Sequence, residues 1–443
     1  FKQKTAYEML RSLVGSEMCI RDRAIIAIVA HRAFDETCAR FGQPMTEPGI
    51  GPTRPAGMCV IAMGKLGARE LNFSSDVDLI FVYEAEGETT GRLPDGRTVH
   101  SQSNHLFFTR MGETIVRFLG ERTPEGRLFR VDMRLRPEGE TGPLARSLES
   151  FVNYLQQQAR DWERVAYLKA RVLSGPTHLA ERIYRVIEHF VFSQAEPERI
   201  VAEVERLKLM IDREVTASDI YHRELKRGYG GIREIEFVVS AMQIIYGRTH
   251  PALRARNTFL ALQRLREVNL LPPQEADFYL DAYEFLRRVE HRLQMADEHQ
   301  THTLPTDAAK MAVLARSTGF AELADFIRRL DTVRDGVHRR FTEFFKSDPQ
   351  AADRETREIL LLLDPQASPQ EVEPVLARYG LGEGDARRIL QSLARGTSEI
   401  FVSADGQRSF EQMLPSLLRL ASRAPDPARV LPRFHSFVLA VKG

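Results

Sequence analysis

Asp76 and Asp78 stand one residue apart at the head of an apolar run, NFSSDVDLIF (72–81). A strand turns alternate side chains to one face, so the two carboxylates point together while Val77, Leu79 and Phe81 point the other way. Adjacent anions repel, and the apolar continuation blocks relief by a register slip. Asp-x-Asp pairs also occur on wet strand ends without any chemistry, so the neighbouring segments decide the reading. Downstream, RVDMRLRP (130–137) predicts a strand on which Asp132, Arg134 and Arg136 share one face, which is also the pattern of a solvated edge strand.

Upstream lies MGKLGARELNFSSD (63–76). Gly64 and Gly67 let the backbone approach a ligand and present amides, and Lys65 with Ser74 or Ser75 is placed to touch phosphate oxygens. The spacing is not that of a P-loop. Three carboxylates, a glycine turn and arginines together suit transfer of a nucleotidyl group. Mg²⁺ prefers carboxylate and phosphate oxygens, and in a two-ion arrangement Asp76 and Asp78 bridge both ions while Asp132 completes the second. The candidate catalytic and metal-binding residues are therefore Asp76, Asp78 and Asp132. The candidate nucleotide or phosphate ligands are Gly64, Lys65, Ser74, Ser75, Arg134 and Arg136. In RGYGGIREIEF (227–237) a helix is predicted to start near Gly231, where Arg233 and free amides can reach the nucleotide, although close glycine packing reads equally well.

These residues need strands and helices to position them. GMCVIAM (57–63), DVDLIFVY (76–83) and RLFRVDMRLR (127–136) read as strands, and SNHLFFTRMGETIVRFLGE (103–121) as a helix. From about Leu148 the pattern is helical almost throughout, with apolar spacings of three and four in 179–190, 201–215 and 278–295. DPQASPQEVEPV (364–375) reads as a linker. The expected organisation is a helical remnant at 24–56, a catalytic core at 57–147, a helical domain packed on it at 148–347, and a linker opening a further helical region at 348–443. Residues 1–23 resemble a translated sequencing adapter and are set aside, and the chain is expected to be a fragment of a longer protein.

With 62 basic and 61 acidic residues the net charge is +1, so no global field draws the chain to nucleic acid or anionic lipid. The apolar run AIIAIVAHRAF (24–34) falls short of the roughly 20 residues that cross a bilayer. Cys38 and Cys59 are too few for a disulfide framework and not spaced as zinc ligands, which fits a reduced, cytoplasmic protein. His299 and His302 in EHQTHTLP (298–305) lack the further ligands zinc needs, and read as a polar helix terminus.

The glycine–lysine turn, the Asp-x-Asp strand and the later strand aspartate resemble the polymerase-beta-like nucleotidyltransferase superfamily. Longer phrases are more specific. MGKLGARELNFSSDVDLIF, RVDMRLRPEGETGPL, DWERVAYLKARVLSG, GYGGIREIEFVVSAMQ and RVEHRLQMADEHQTHTLP together resemble the bifunctional glutamine synthetase adenylyltransferase/adenylyl-removing enzymes over roughly 55–310. ELNFSSDVDLIF and WERVAYLKAR are similar to the N-terminal, adenylyl-removing unit of that family. The resemblance implies an α+β fold: a polymerase-beta-like domain with a small mixed sheet, followed by a large all-helical domain. It implies Mg²⁺ (two ions possible), a nucleotide substrate (AMP, ADP or ATP), glutamine synthetase as protein substrate and PII as regulator, and it adds Lys169 and Arg171 as possible phosphate contacts. The implied reaction is phosphorolysis of AMP-tyrosine to tyrosine and ADP. The alternatives are adenylylation with ATP, uridylylation of PII, or a noncatalytic interaction module, the last disfavoured because a binding module has no reason to keep three mutually repelling carboxylates. Ala68 stands where the family often has a second glycine.

Overall fold

The computed structural model describes residues 18–47, 53–72, 75–124, 126–193, 197–216, 220–297 and 301–345, with shorter stretches between 358 and 442. The described residues up to Phe344, apart from Gln157–Arg160, make one compact unit, and those from Phe345 onward belong to a second.

The first unit is built on a small mixed sheet. Strands β1 (Met58–Ala62), β2 (Val77–Tyr83), β3 (Val131–Asp132), β4 (Ala145–Ser147) and β5 (Arg171–Ser174) lie in the order β3-β2-β1-β5, with β4 also pairing β2. β1 runs antiparallel to β2 and β5, whereas β3 and β4 run parallel to β2. Helices α1 (Met18–Phe41) and α3 (Asn104–Gly120) pack against each other and share one core with Val77, Leu79, Phe81 and Tyr83. Alternation then puts Asp78 on the opposite face from this core. Helix α3 starts where Ser103 accepts the Leu106 N–H, and it buries Phe107, Phe108, Met111, Ile115 and Leu119. Each such side chain contributes about 1.5–3 kcal/mol when fully removed from water. The boundary drawn at residue 23 falls inside α1, whose Asp22 is buried.

Two sequence expectations need correction here. The strand predicted over 127–136 shrinks to Val131–Asp132, because the chain turns at Arg134 and continues into a short 3₁₀ helix at Gly139–Thr141. Arg134 and Arg136 therefore do not share a strand face with Asp132. The helical reading from Leu148 onward is broken by β5, which pairs with β1, so the sheet reaches past residue 147. Four residues bounded by Gly175-Pro176 are too few to show a period against helical surroundings.

Around the sheet come α2 (Gly64–Ala68), between β1 and β2, and then α4 (Leu148–Gln157), α5 (Asp161–Tyr167), α6 (Thr177–Phe192), α7 (Pro197–Thr216), α8 (Ile232–Tyr246), α9 (Thr258–Glu267), α10 (Pro273–Asp297), α11 (Ala308–Ser317) and α12 (Leu323–Phe345). The expected helices at 103–121, 179–190, 201–215 and 278–295 are all present within a few residues. Helix α8 is buried from Ile232 through Ile244, except Arg233, with Glu234, Glu236 and Gln243 among the enclosed residues. Glu234 pairs with Lys208 at 3.0 Å, and Gln243 donates to the Ala255 carbonyl at 2.7 Å, so these polar groups are satisfied.

The second unit has its own core, with Leu362, Val372, Leu376, Leu390, Leu414, Leu418 and Leu431 enclosed. Its helices include α13 (Pro369–Arg378), α14 (Ala386–Arg395) and α15 (Val430–Lys442). The linker expected at 364–375 is in large part α13: Glu371 accepts from the Ser368 N–H at 2.8 Å, an N-terminal cap concealed by the prolines.

Candidate functional site

The acidic strand edge forms because β2 and β3 are parallel and in register. Asp78 lies directly beside Asp132, and Val77 beside Val131. Asp76, just ahead of β2, pairs with Arg130 at 2.6 Å. Asp132 accepts the Arg134 backbone N–H at 2.8 Å and its guanidinium at 2.6 Å. Burial, with the charges of Asp132 and Asp76 nearby, pushes Asp78 up to about 6. Asp132 moves the other way, held below the usual carboxylate range by the hydrogen bonds from Arg134.

Gly64 begins α2 with φ +53, and a methyl group there would come within 2.5 Å of Asp78 Oδ2. Glycine is required both by the left-handed backbone and by the approach of the carboxylate. Ser75 Oγ accepts the Asn72 N–H at 3.3 Å and closes the turn ahead of Asp76. Ser74 lies outside the described residues, as does His299.

Lys65 projects from α2 toward α10, where its ammonium meets Glu290 at 3.0 Å. Glu290 also receives Arg287 and His302, the latter at 2.9 Å. Burial, with the positive charge of Arg287 alongside, pushes Lys65 down to about 7. Burial opposes ionisation of Glu290 as well, but Lys65 and Arg287 outweigh it and hold that carboxyl well below its usual range. Arg233 sits in the first turn of α8, next to the N-cap Gly231, and pairs with Glu236 at 3.4 Å.

Several candidates are engaged in holding the fold. Arg136 donates to the carbonyls of Met133 (2.8 Å), Glu140 (3.0 Å) and Gly142 (3.2 Å), which ties the turn after β3 together. Arg171 caps α2 through the Leu66 and Gly67 carbonyls at 2.8 and 3.1 Å. Lys169 lies between Glu70, Glu236 and the Thr258 hydroxyl at 3.2–3.4 Å, joining the sheet to α8 and α9. The sequence pattern signalled their charge, but not that Arg136 would be taken up by its own turn, nor that Lys169 and Arg171 had partners far along the chain.

Sequence reasoning missed Lys226, Arg287 and Glu290. Lys226, in the turn before α8, lies close enough to lower Asp78's pKa and to press on Lys65. A usable signal existed on α10: Arg287 and Glu290 form an i,i+3 pair set among the buried Leu286, Val289 and Leu293. Charges inside an apolar stripe point to a partner elsewhere in the fold.

An open cleft of about 870 Å³ adjoins the acidic edge, lined by Asp76, Asp132 and Arg130, Arg134 and Arg136 among others. The donor set suits magnesium, since it consists of carboxylates, and one of them, Asp78, is raised by burial and by the charge of its acidic neighbours. Among the described residues no group of three acidic, His or Cys side chains is gathered as a ready metal cage. Asp76 and Asp132 are instead turned to arginines. No helix among the described residues is long and apolar enough to cross a membrane.

A family model described as glutamate-ammonia ligase adenylyltransferase matches residues 13–185, the segment containing the sheet. A second, described as GlnD PII-uridylyltransferase, matches 205–345, from within α7 to the end of α12. Proteins named bifunctional glutamine synthetase adenylyltransferase/adenylyl-removing enzyme are similar over most of the chain. That of Thioalkalivibrio sulfidiphilus is 38% identical over 91% of this chain and 41% of its own length. That of Methylococcus capsulatus is 37% identical over 93% and 42%, and that of Chromobacterium violaceum 35% over 91% and 43%. The chain thus spans about two-fifths of the length of these relatives. With such identity sustained across nine-tenths of its residues, the chain is related to the bifunctional glutamine synthetase adenylyltransferase/adenylyl-removing enzymes over about two-fifths of their length.

Proposed function

We propose that this chain removes AMP from adenylylated glutamine synthetase, using inorganic phosphate and releasing ADP. The observation that carries the reading is the pairing of Asp78 with Asp132 on adjacent strands, beside a glycine that admits the Asp78 carboxylate. The sheet is taken as a polymerase-beta-like nucleotidyltransferase core, with Asp76, Asp78 and Asp132 holding Mg²⁺. When bound there, Mg²⁺ offsets negative charge on the phosphoryl oxygens.

In the forward step an oxygen of monohydrogen phosphate bonds to the phosphorus of AMP-tyrosine. The bond from that phosphorus to the tyrosyl oxygen breaks, its electron pair stays on that oxygen, and the proton brought by phosphate ends on it, giving tyrosine and ADP. Tyrosine, with a pKa near 10, leaves without a strong acid, so charge placement does most of the work. Lys65, Arg134 and Arg233 are assigned to the phosphate oxygens, with Gly64 and Ser75 at the turn beneath them; Arg136 holds the turn that carries Arg134. Ser74 belongs to the same assignment by its position in the sequence.

The direction rests on the likeness of ELNFSSDVDLIF and WERVAYLKAR to the adenylyl-removing unit. The same carboxylates suit AMP attachment from ATP, a separate reaction in which the tyrosyl oxygen displaces pyrophosphate, and the co-product separates the two. Protein incubated with adenylylated glutamine synthetase, Mg²⁺ and phosphate is expected to release ADP. Pyrophosphate formed from ATP and unmodified glutamine synthetase, without ADP release in the first assay, would reverse the assignment. Regulation by PII is proposed on the resemblance, alongside the uridylyltransferase model matched by 205–345.

A further inference from the structure

Four lysines of the first unit are withdrawn from solvent, wholly or in part: Lys65, Lys169, Lys208 and Lys226. Three of them have carboxylate partners. Lys65 meets Glu290 at 3.0 Å, Lys169 meets Glu70 and Glu236 at 3.3 and 3.4 Å, and Lys208 meets Asp212 and Glu234 at 2.7 and 3.0 Å. The ammonium of Lys226 makes no ion pair or hydrogen bond among the described residues, although Glu236, Glu290 and Asp78 are all near enough to act on its charge or feel it.

The backbone holds Lys226 in place. Its carbonyl accepts the Arg233 N–H at 2.9 Å, and the turn that follows is locked by Gly230, which has φ +58 and would put a methyl group 2.1 Å from the Arg334 carbonyl. Around Glu236 and Glu290 stand Lys65, Lys226, Arg233 and Arg287; Lys65 and Arg287 are paired to Glu290, Arg233 to Glu236, and Lys169 to Glu236 and Glu70, which leaves Lys226 as the cation of this group without a carboxylate partner among the described residues. An ammonium held in a partly dry site without a carboxylate partner is costly unless an anion meets it. Asp78 borders the same cluster, so the anion would lie beside the acidic strand edge.

We propose that Lys226 binds the terminal phosphate of a nucleoside diphosphate, the same group that enters as inorganic phosphate in phosphorolysis. The helical domain thereby contributes a substrate ligand to a site whose carboxylates come from the sheet. This rests on the nucleotidyl-transfer reading of that site. An ammonium on a compact stem suits a phosphate as a point charge, and a charge-assisted hydrogen bond of this kind is stronger than a neutral one.

AMP and ADP differ by this phosphate, so they test the assignment. In the presence of Mg²⁺, Lys226→Met is expected to weaken calorimetric binding of ADP about 10-fold or more while AMP changes less than about twofold. Lys226→Arg, which keeps the charge, is expected to retain most of the ADP affinity, and it supplies the comparison with Lys226→Gln if the methionine variant does not fold. In the phosphorolysis assay the KM for phosphate should rise more than kcat falls. Equal weakening of AMP and ADP, or unchanged ADP binding, would overturn the role of Lys226 alone. Wild-type protein that binds neither nucleotide would overturn the nucleotidyl-transfer reading and this proposal with it.

Discussion

On the strand edge, Asp76 and Asp132 are ion-paired to arginines that reach solvent; the Arg134 side chain is 70% exposed. On the helical side, Glu290 is fully enclosed and its partners Lys65 and Arg287 are each only 13% exposed. The contrast separates two kinds of electrostatic work. An exposed partner is worth about 0–1 kcal/mol, so an incoming ion or phosphate can displace Arg134 at little cost. A buried carboxylate stripped of one partner loses about 3–5 kcal/mol, so the Glu290 cluster keeps its arrangement whatever binds. The edge is suited to exchange ligands, and the surrounding helices to maintain a fixed field around them.

Breaking the fixed side should have the largest effect. Glu290→Gln leaves Lys65 and Arg287 facing each other without their shared anion, and a loss of about 3–5 kcal/mol is expected by denaturant titration. A change below about 1 kcal/mol would mean that the cluster tolerates exchange as the strand edge does.

Asp78→Asn should lower phosphorolytic turnover by about 10²–10³-fold, measured by ADP release, while the fold persists. Without Mg²⁺ the same substitution should stabilise the protein in a pH-dependent way. The native carboxyl titrates at about 6 against 3.8 for the ordinary value, so the folded state binds the proton more tightly. Its contribution to stability is complete below pH 3.8 and is lost as pH rises through 6. Up to about 3 kcal/mol is involved, and the gap between variant and wild type should widen over that window. A flat difference across pH 4–7 in thermal melts would contradict the burial of Asp78 beside Asp132.

A smaller disturbance is expected from Gly64→Ala. The left-handed backbone and the contact with Asp78 Oδ2 together cost about 1–3 kcal/mol, and activity should fall further than stability because the shifted group is the carboxylate itself. Arg134→Ala should be the mildest in stability, within about 1 kcal/mol, with Asp132 titrating at higher pH by NMR once its hydrogen-bonded partner is gone. A larger loss of stability would place Arg134 with the fixed group rather than the exchangeable one.

Much of the carboxylate side was legible in the sequence because its geometry is local. Alternation along VDLIFVY sets Asp78 opposite Val77 and Leu79, and Ser103 with the apolar spacing of 107, 108, 111 and 115 announces α3. The strand around Asp132 was overextended, since RLFRVDMRLR alternates charged and apolar residues well past the point where the chain turns. Arg136 shows why: its guanidinium seeks three carbonyls of the following turn, and a hydrogen-bonded turn can carry the same alternation as a strand. β5 was hidden by its length.

The residue types along 63–82 by themselves determined that two carboxylates would stand together at a strand end behind a glycine turn, because strand periodicity and glycine's backbone freedom act within a few residues. The register that sets Asp132 directly beside Asp78, and that Lys65 would turn to Glu290 while Lys226 met no carboxylate, was decided only by tertiary structure. Those relations join residues dozens to more than two hundred positions apart. Coulombic and hydrogen-bond energies depend on distance in space, and the chain order does not carry that distance.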